Sequence, residues 1–246
     1  KILIYPVFLL ITALFLSSCA SKKEVMIEVY ETSAAGHKLT PLEIFSKGEI
    51  VSEITINPQE KRQVITGFGG AFTESSASVL NQLSPEKKDQ IINAYFSENG
   101  AAYSLTRTHM NSCDFSLSNY SYTEVEDDTQ LEHFSIAHDK DDLIPMIKAA
   151  QAASKDGFKL FASPWTAAPW MKDNNSWVGG KLKPEYYQTW ALFFSKYADA
   201  YKAQGIDIWG FTVENEPMGN GNNWESMVFS PEEMTHFVQN YLGPTL

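Results

Sequence analysis

Only two cysteines occur in 246 residues, Cys19 and Cys113, too few for a disulfide framework. Cys19 lies in the leader region, so Cys113 has no intrachain partner. The five histidines are scattered, and no Cys/His set has zinc-ligand spacing. No phosphate-binding loop is present. Gly67-Phe68-Gly69-Gly70 is glycine-rich but lacks the third glycine of a dinucleotide fingerprint. The residues therefore predict neither a metal nor a cofactor. A basic stripe is missing as well, and the formal charge of −11 argues against a nucleic-acid partner. Low-complexity tracts are absent, and 43% hydrophobic residues suffice for a large core, which excludes a disordered chain.

The one long apolar run is at the start. Lys1 precedes an apolar stretch to Leu16, then Ser17 and Ser18, the pattern of a secretory signal over residues 1–18. Leu16-Ser17-Ser18-Cys19 resembles the lipobox of bacterial lipoproteins, which implies a lipidated Cys19, a tether over 19–24 and an exported, membrane-anchored protein facing the periplasm or the cell surface. A simple signal peptide ending in cysteine is the other reading. Residues 25–58 carry two strand-like runs, Met26–Tyr30 and Ile50–Ile56, the second alternating as a half-solvated strand does.

From residue 59 onward strands and helices alternate four times. Strands are expected over Val64–Phe72, Tyr103–Met110, Leu160–Trp165 and Trp209–Glu216. Ser84-Pro85-Glu86 and Ser230-Pro231-Glu232 are helix N-caps followed by proline and an acidic first turn. Helices are expected from Ser84 to Phe96, over Leu143–Ser154, over Tyr186–Gln204 and from Ser230 to near Gly243. Trp190, Phe194, Tyr197 and Tyr201 form a helical stripe, read as core. Repeated βα units with apolar strands predict a parallel sheet covered by helices: the first half of a (β/α)8 barrel, with a doubly wound open sheet as competitor. Polar and aromatic residues cluster after each strand, which favours the barrel.

The chemistry concentrates at the strand ends. In Trp209 to Pro217, W-G-F-T-V-E-N-E-P, an apolar strand must stop at Pro217, and Glu214 and Glu216 share one parity. Glu214 lies one pleat deeper and reads as the partner of a basic residue. Glu216, at the terminus, is the candidate acid, poised between solvent and a Trp-lined pocket. Arg107 in an apolar strand is either a structural ion pair or the clamp of a catalytic carboxylate. His109 reads as packed rather than catalytic, and Glu74 as a helix-start carboxylate. Asp114 is a turn former or, with Phe115, a sugar-binding pair. Trp165 and Trp170 end the third strand, where indole faces pack on sugar C–H groups or simply close a loop.

These motifs closely resemble glycoside hydrolase family 30, in its glucosylceramidase-like branch. Gly67 to Ala71, Ser112-Cys113-Asp114-Phe115-Ser116, Ala162 to Thr166, Thr212 to Pro217 and Leu242 to Leu246 carry the resemblance in order. It implies a TIM barrel with a β-rich side domain to which the N-terminal strands contribute, and retaining hydrolysis of β-glucosides or glucosylceramide-like substrates. Glu216 would be the general acid/base, Asn215 a sugar contact beside it, Asp114 and Trp165 hydroxyl-binding residues and Arg107 the arginine near the carboxylates. The nucleophile would be a glutamate on a later strand, beyond Leu246, so this stretch alone would be inactive. Other readings are a β-xylosidase or endo-β-1,6-glucanase of the same family, or a lipoprotein that binds glycans without cleaving them.

Overall fold

The computed structural model describes residues 27–42, 52–219 and 223–246. The leader, Cys19, Met26 and Ile50 lie outside these residues. The chain divides into two compact units, Lys1–Arg62 and Gln63–Leu246. In the first, β1 (Tyr30–Glu31) and β2 (Thr40–Pro41) form an antiparallel pair with Tyr30 opposite Pro41. Between them Gly36, at φ +110°, takes a conformation that side chains disfavour. The expected strand ending at Ile56 is absent from residues 52–56. Ile54 and Ile56 are exposed, so their alternation finds no sheet to pack on.

The second unit is a parallel four-stranded sheet in the order β3 (Ala71–Phe72), β4 (Leu105–Met110), β5 (Lys159–Pro164), β6 (Gly210–Phe211). Arg107 stands opposite Ala71 and Phe161, and Phe161 opposite Gly210. Helices fill each crossover: α1 (Glu74–Asn81) and α2 (Pro85–Phe96) after β3, α3 (Leu143–Ala153) after β4 and α4 (Tyr187–Ala203) after β5. After β6 comes α5 (Pro231–Phe237), which continues as a wider π-helical turn to Leu242. Sequential βα units in one parallel sheet are the open form of half a TIM barrel.

The two outer strands, β3 and β6, are shorter than the sequence predicts. The tract before β3 runs beside β4, where Phe68 O accepts from Ser104 N and Leu105 N, and Gly70 O from Arg107 N. A Cβ on Gly69 would lie 1.5 Å from Leu105 O, so glycine there permits the close backbone approach. Val64, Ile65 and Phe68 remain exposed. At the other edge, Trp209 N, Thr212 N and Asn215 N donate to Leu160 O, Ala162 O and Pro164 O. Three residues advance against two of β5, so the tract bulges and the ladder ends after Phe211. Trp209 is exposed rather than buried, with Lys159 Nζ 4.7 Å from its ring.

The core lies between the sheet and the helices. Trp190, Phe194, Tyr197 and Tyr201 of α4 are fully buried, and Phe194 and Tyr197 meet Phe211 edge-on. Each such ring contributes roughly 1.5–3 kcal/mol of burial. A carboxyl is enclosed there: Asp139 accepts from the Tyr120, Tyr122 and Tyr201 hydroxyls. Burial raises its carboxyl, while His109 and the three phenols oppose that rise.

Candidate active site

The carboxyl ends of β4, β5 and β6 meet around one guanidinium. Arg107, half-buried on β4, donates Nε to Ser163 Oγ on β5 (2.8 Å) and Nη2 to Asn215 Oδ1 (2.7 Å). Its Cζ stacks 4.6 Å from the Trp165 ring centroid. Burial depresses the guanidinium's basicity, and the Cys113, Asp114 and Glu216 side chains partly restore it, in that order. Thr212 Oγ1 donates to Ser163 Oγ (2.7 Å), and Asn215 N to Pro164 O (2.8 Å). One planar cation thus ties three strand ends together and orients the Trp165 face.

Glu216 follows directly. It is exposed, forms no ion pair among the described residues, and adopts φ +47°. A non-glycine residue there stores about 1–3 kcal/mol of strain, which surrounding structure must hold. Pro217 O accepts from Phe229 N, and Glu216 O from Gly219 N, fixing that turn. Glu214 shares its parity but is buried, with neither carboxylate oxygen hydrogen-bonded. The bulged backbone, not strict alternation, separates the two fates.

A cleft of about 280 Å³ opens beside the arginine, lined by Phe72, Arg107, His109, Cys113, Phe115 and Trp165 among others. Phe115 is exposed at its edge, and Asp114 is exposed next to it. Glu216 is not part of the cleft lining, so its apolar surroundings are not supplied by this cleft. His109 is buried in its wall: Nε2 accepts from Glu74 N, so Nδ1 carries the proton donated to Asn111 O. That double commitment removes His109 from acid–base work. Glu74 is equally committed, to His138 Nε2 (2.7 Å) and Leu117 N (2.9 Å). Burial pushes the Cys113 thiol up to about 12, so it is no nucleophile. Trp170 is buried, donating Nε1 to Thr123 O, a packed loop residue. Among the described residues no group of three His, Cys, Asp or Glu could hold a metal, and no helix is long and apolar enough to cross a membrane.

Residues 65–246 match the glycosyl hydrolase family 30 TIM-barrel domain. The chain belongs to glycosyl hydrolase family 30. Putative glucosylceramidase 3 of Caenorhabditis elegans is 38% identical over 89% of this chain and 44% of its own length. Lysosomal acid glucosylceramidase of Mus musculus is 39% identical, over 78% and 39%. Among solved structures, an endo-β1,6-glucanase superposes with a TM-score of 0.74 at 34% identity, over 88% of this chain and 48% of that one. The chain therefore spans less than half the length of these family 30 proteins.

Three features of this family 30 chain escape sequence reading. Lys172 is fully buried, and its Nζ donates to Thr166 Oγ1, Ser176 O and Ser226 O. Burial lowers its ammonium from 10.5 to about 8, against the pull of Glu214 and Asp173. It is the basic residue nearest in effect to Glu214, yet no ion pair joins them, and burial raises the Glu214 carboxyl well above the ordinary range. The second feature is Asn111, at φ +60°, whose amide bridges Thr166 O, Ser121 Oγ and Tyr122 N. The third is Asn119 Nδ2, which donates to Glu225 Oε1 (2.6 Å) across 106 residues. Only an asparagine placed just after a strand hinted at any of them.

Proposed function

We propose that the complete protein is a retaining hydrolase of β-glucosides, glucosylceramidase-like, with Glu216 as general acid/base. The observation that carries this reading is the Arg107 clamp, which holds Asn215 at 2.7 Å and Trp165 in a stack at the strand ends, with Glu216 next in the chain. Trp165 and Phe115 offer faces to a sugar ring, while Asp114, Asn215 and Arg107 offer hydroxyl partners. In a retaining mechanism two carboxyls stand about 5–5.5 Å apart. A second glutamate, beyond Leu246, attacks the anomeric carbon while Glu216 protonates the departing oxygen. Glu216 then takes a proton from water as that water cleaves the glycosyl-enzyme.

The test is Glu216→Gln in the complete protein. Turnover of alkyl or sugar glucosides is expected to fall by about 10²–10⁴, the usual worth of acid–base catalysis, and that of activated aryl glucosides far less. An unchanged rate on the poor leaving groups would remove the assignment. Binding of glucosides with no turnover at all by the unaltered protein would leave the glycan-binding reading instead. An endo-β-1,6-glucanase is the second reading, supported by the likeness to the solved glucanase.

The lipobox-like Leu16-Ser17-Ser18-Cys19 supports export and an N-terminal lipid anchor on a bacterial membrane. Cys19→Ser should move the protein from the membrane to the soluble fraction. Equal membrane retention of both forms would discard the anchor.

A further inference from the structure

The strained turn at Glu216, with φ +47°, is held by an anchor on each side. Before it, Asn215 N donates to Pro164 O at the end of β5 (2.8 Å); after it, Phe229 N donates to Pro217 O (3.2 Å). Thr166 lies two residues beyond Pro164, and Ser226 three residues before Phe229. Both converge on one nitrogen. Lys172 Nζ donates to Thr166 Oγ1 (2.8 Å) and to Ser226 O (2.8 Å), and its third hydrogen goes to Ser176 O (2.7 Å). We propose that Lys172 is a positioning residue for the proton donor, a clasp that fixes the separation of the two anchors and so holds Glu216 in its left-handed turn. This rests on Glu216 being the general acid.

The segment that the clasp grips is docked along its length. Ser226 N donates to Trp177 O (3.0 Å), Gly179 N to Ser226 Oγ (2.9 Å) and Val228 N to Gly180 O (2.8 Å), so this segment lies along the loop after β5. Phe229 is seated in the core against Phe237, with ring centroids 5.6 Å apart. The path from Lys172 to Pro217 therefore runs through residues 226–229 alone. Because Phe229 keeps its seat without Lys172, losing the clasp displaces the turn and leaves the core intact.

Core filling does not explain a lysine here. A fully buried ammonium costs far more to desolvate than an apolar side chain of its length, unless every hydrogen finds an acceptor. In Lys172 three hydrogens meet three acceptors, and the Glu214 and Asp173 side chains favour the charged form against that cost. Directed bonds from one atom set the distance between two backbones, which apolar contact leaves adjustable. Proton donation depends on that distance. A donor misplaced by about 1 Å loses on the order of 10²-fold in rate.

The test uses the complete protein with octyl β-D-glucoside, whose leaving oxygen needs a proton, and para-nitrophenyl β-D-glucoside, whose leaving oxygen needs one less. Lys172→Met should lower kcat/KM for the octyl glucoside by about 10–10²-fold, mainly through kcat, and for the aryl glucoside far less. Thr166→Val cuts the β5 arm of the clasp alone and should shift the same ratio the same way by a smaller factor. It carries the test if Lys172→Met does not fold. Deuterium uptake over residues 226–229 should quicken by about tenfold in Lys172→Met, and by less in Thr166→Val, while α3 keeps its own rate. Equal losses on the two glucosides, or unchanged uptake over 226–229, overturn the clasp even in an active hydrolase. If Glu216→Gln proves indifferent to the leaving group, the acid assignment falls. Faster uptake over 226–229 would then still uphold Lys172 as the residue that holds this turn.

Discussion

At the scale of single residues, the site is governed by two cations in opposite roles. Arg107 remains charged at any working pH, and its flat fork spreads that charge over Ser163, Asn215 and the Trp165 face. Lys172 is buried instead, and its folded ammonium titrates near 8 rather than 10.5. Below about 8 both folded and unfolded chains hold that proton, and it adds no pH dependence. Between about 8 and 10.5 the unfolded chain keeps a proton the folded one has released, so folding gains stability as pH rises. Lys172→Met does not titrate. The stability of the complete protein minus that of this variant should rise from pH 7 to pH 10.5 by on the order of 3 kcal/mol, measured by urea unfolding. Tyrosine titration affects both proteins alike and cancels. A difference that stays constant over this range would show that Lys172 is not desolvated.

At the scale of elements, the helix starts were legible because a cap is local chemistry. Ser84 and Ser230 both receive the N3 backbone N–H, as serine before proline predicts. The two caps differ in strength. Ser230 Oγ accepts from Glu233 N at 3.2 Å while Glu233 Oε2 accepts from Ser230 N at 2.8 Å, closing a capping box. Ser84 Oγ accepts at 3.4 Å with no return bond to its own N–H. Ser230→Ala should therefore cost about 1 kcal/mol, and Ser84→Ala less, in paired thermal unfolding of the complete protein. Equal costs would mean that the shorter Ser230 side-chain bond contributes no more than the longer one at Ser84. Strands were less legible than helices. Apolar runs marked where β4 and β5 lie, but the length of an outer strand depends on a neighbour, and β3 and β6 have a described partner on one side alone.

At the scale of the whole molecule, those two edges dominate. Among the described residues β3 and β6 are the edges of the sheet, and the tract leading into β3 leaves Val64, Ile65 and Phe68 exposed. In a closed barrel such edges pair with further strands. Residues 63–246 produced alone should then self-associate through edge pairing, read by sedimentation velocity against the complete protein. A stable monomer with native-like near-UV circular dichroism would show that the half sheet protects its own edges.

The sequence by itself determined the alternation of strand and helix, the capped helix starts and the buried stripe of α4. Each of these follows from interactions within a few residues, or from a periodicity that a short window contains. The sequence placed Glu214 deeper than Glu216, but the tertiary structure alone decided that the Glu214 carboxylate is buried without a hydrogen-bond partner, where a basic partner was expected. It alone placed Lys172 beneath Ser226, Asn119 against Glu225, and Arg107 between Ser163 and Asn215. Those contacts span from 54 to 108 residues, and a pairing at that distance is set by where the packed strands deliver their loops.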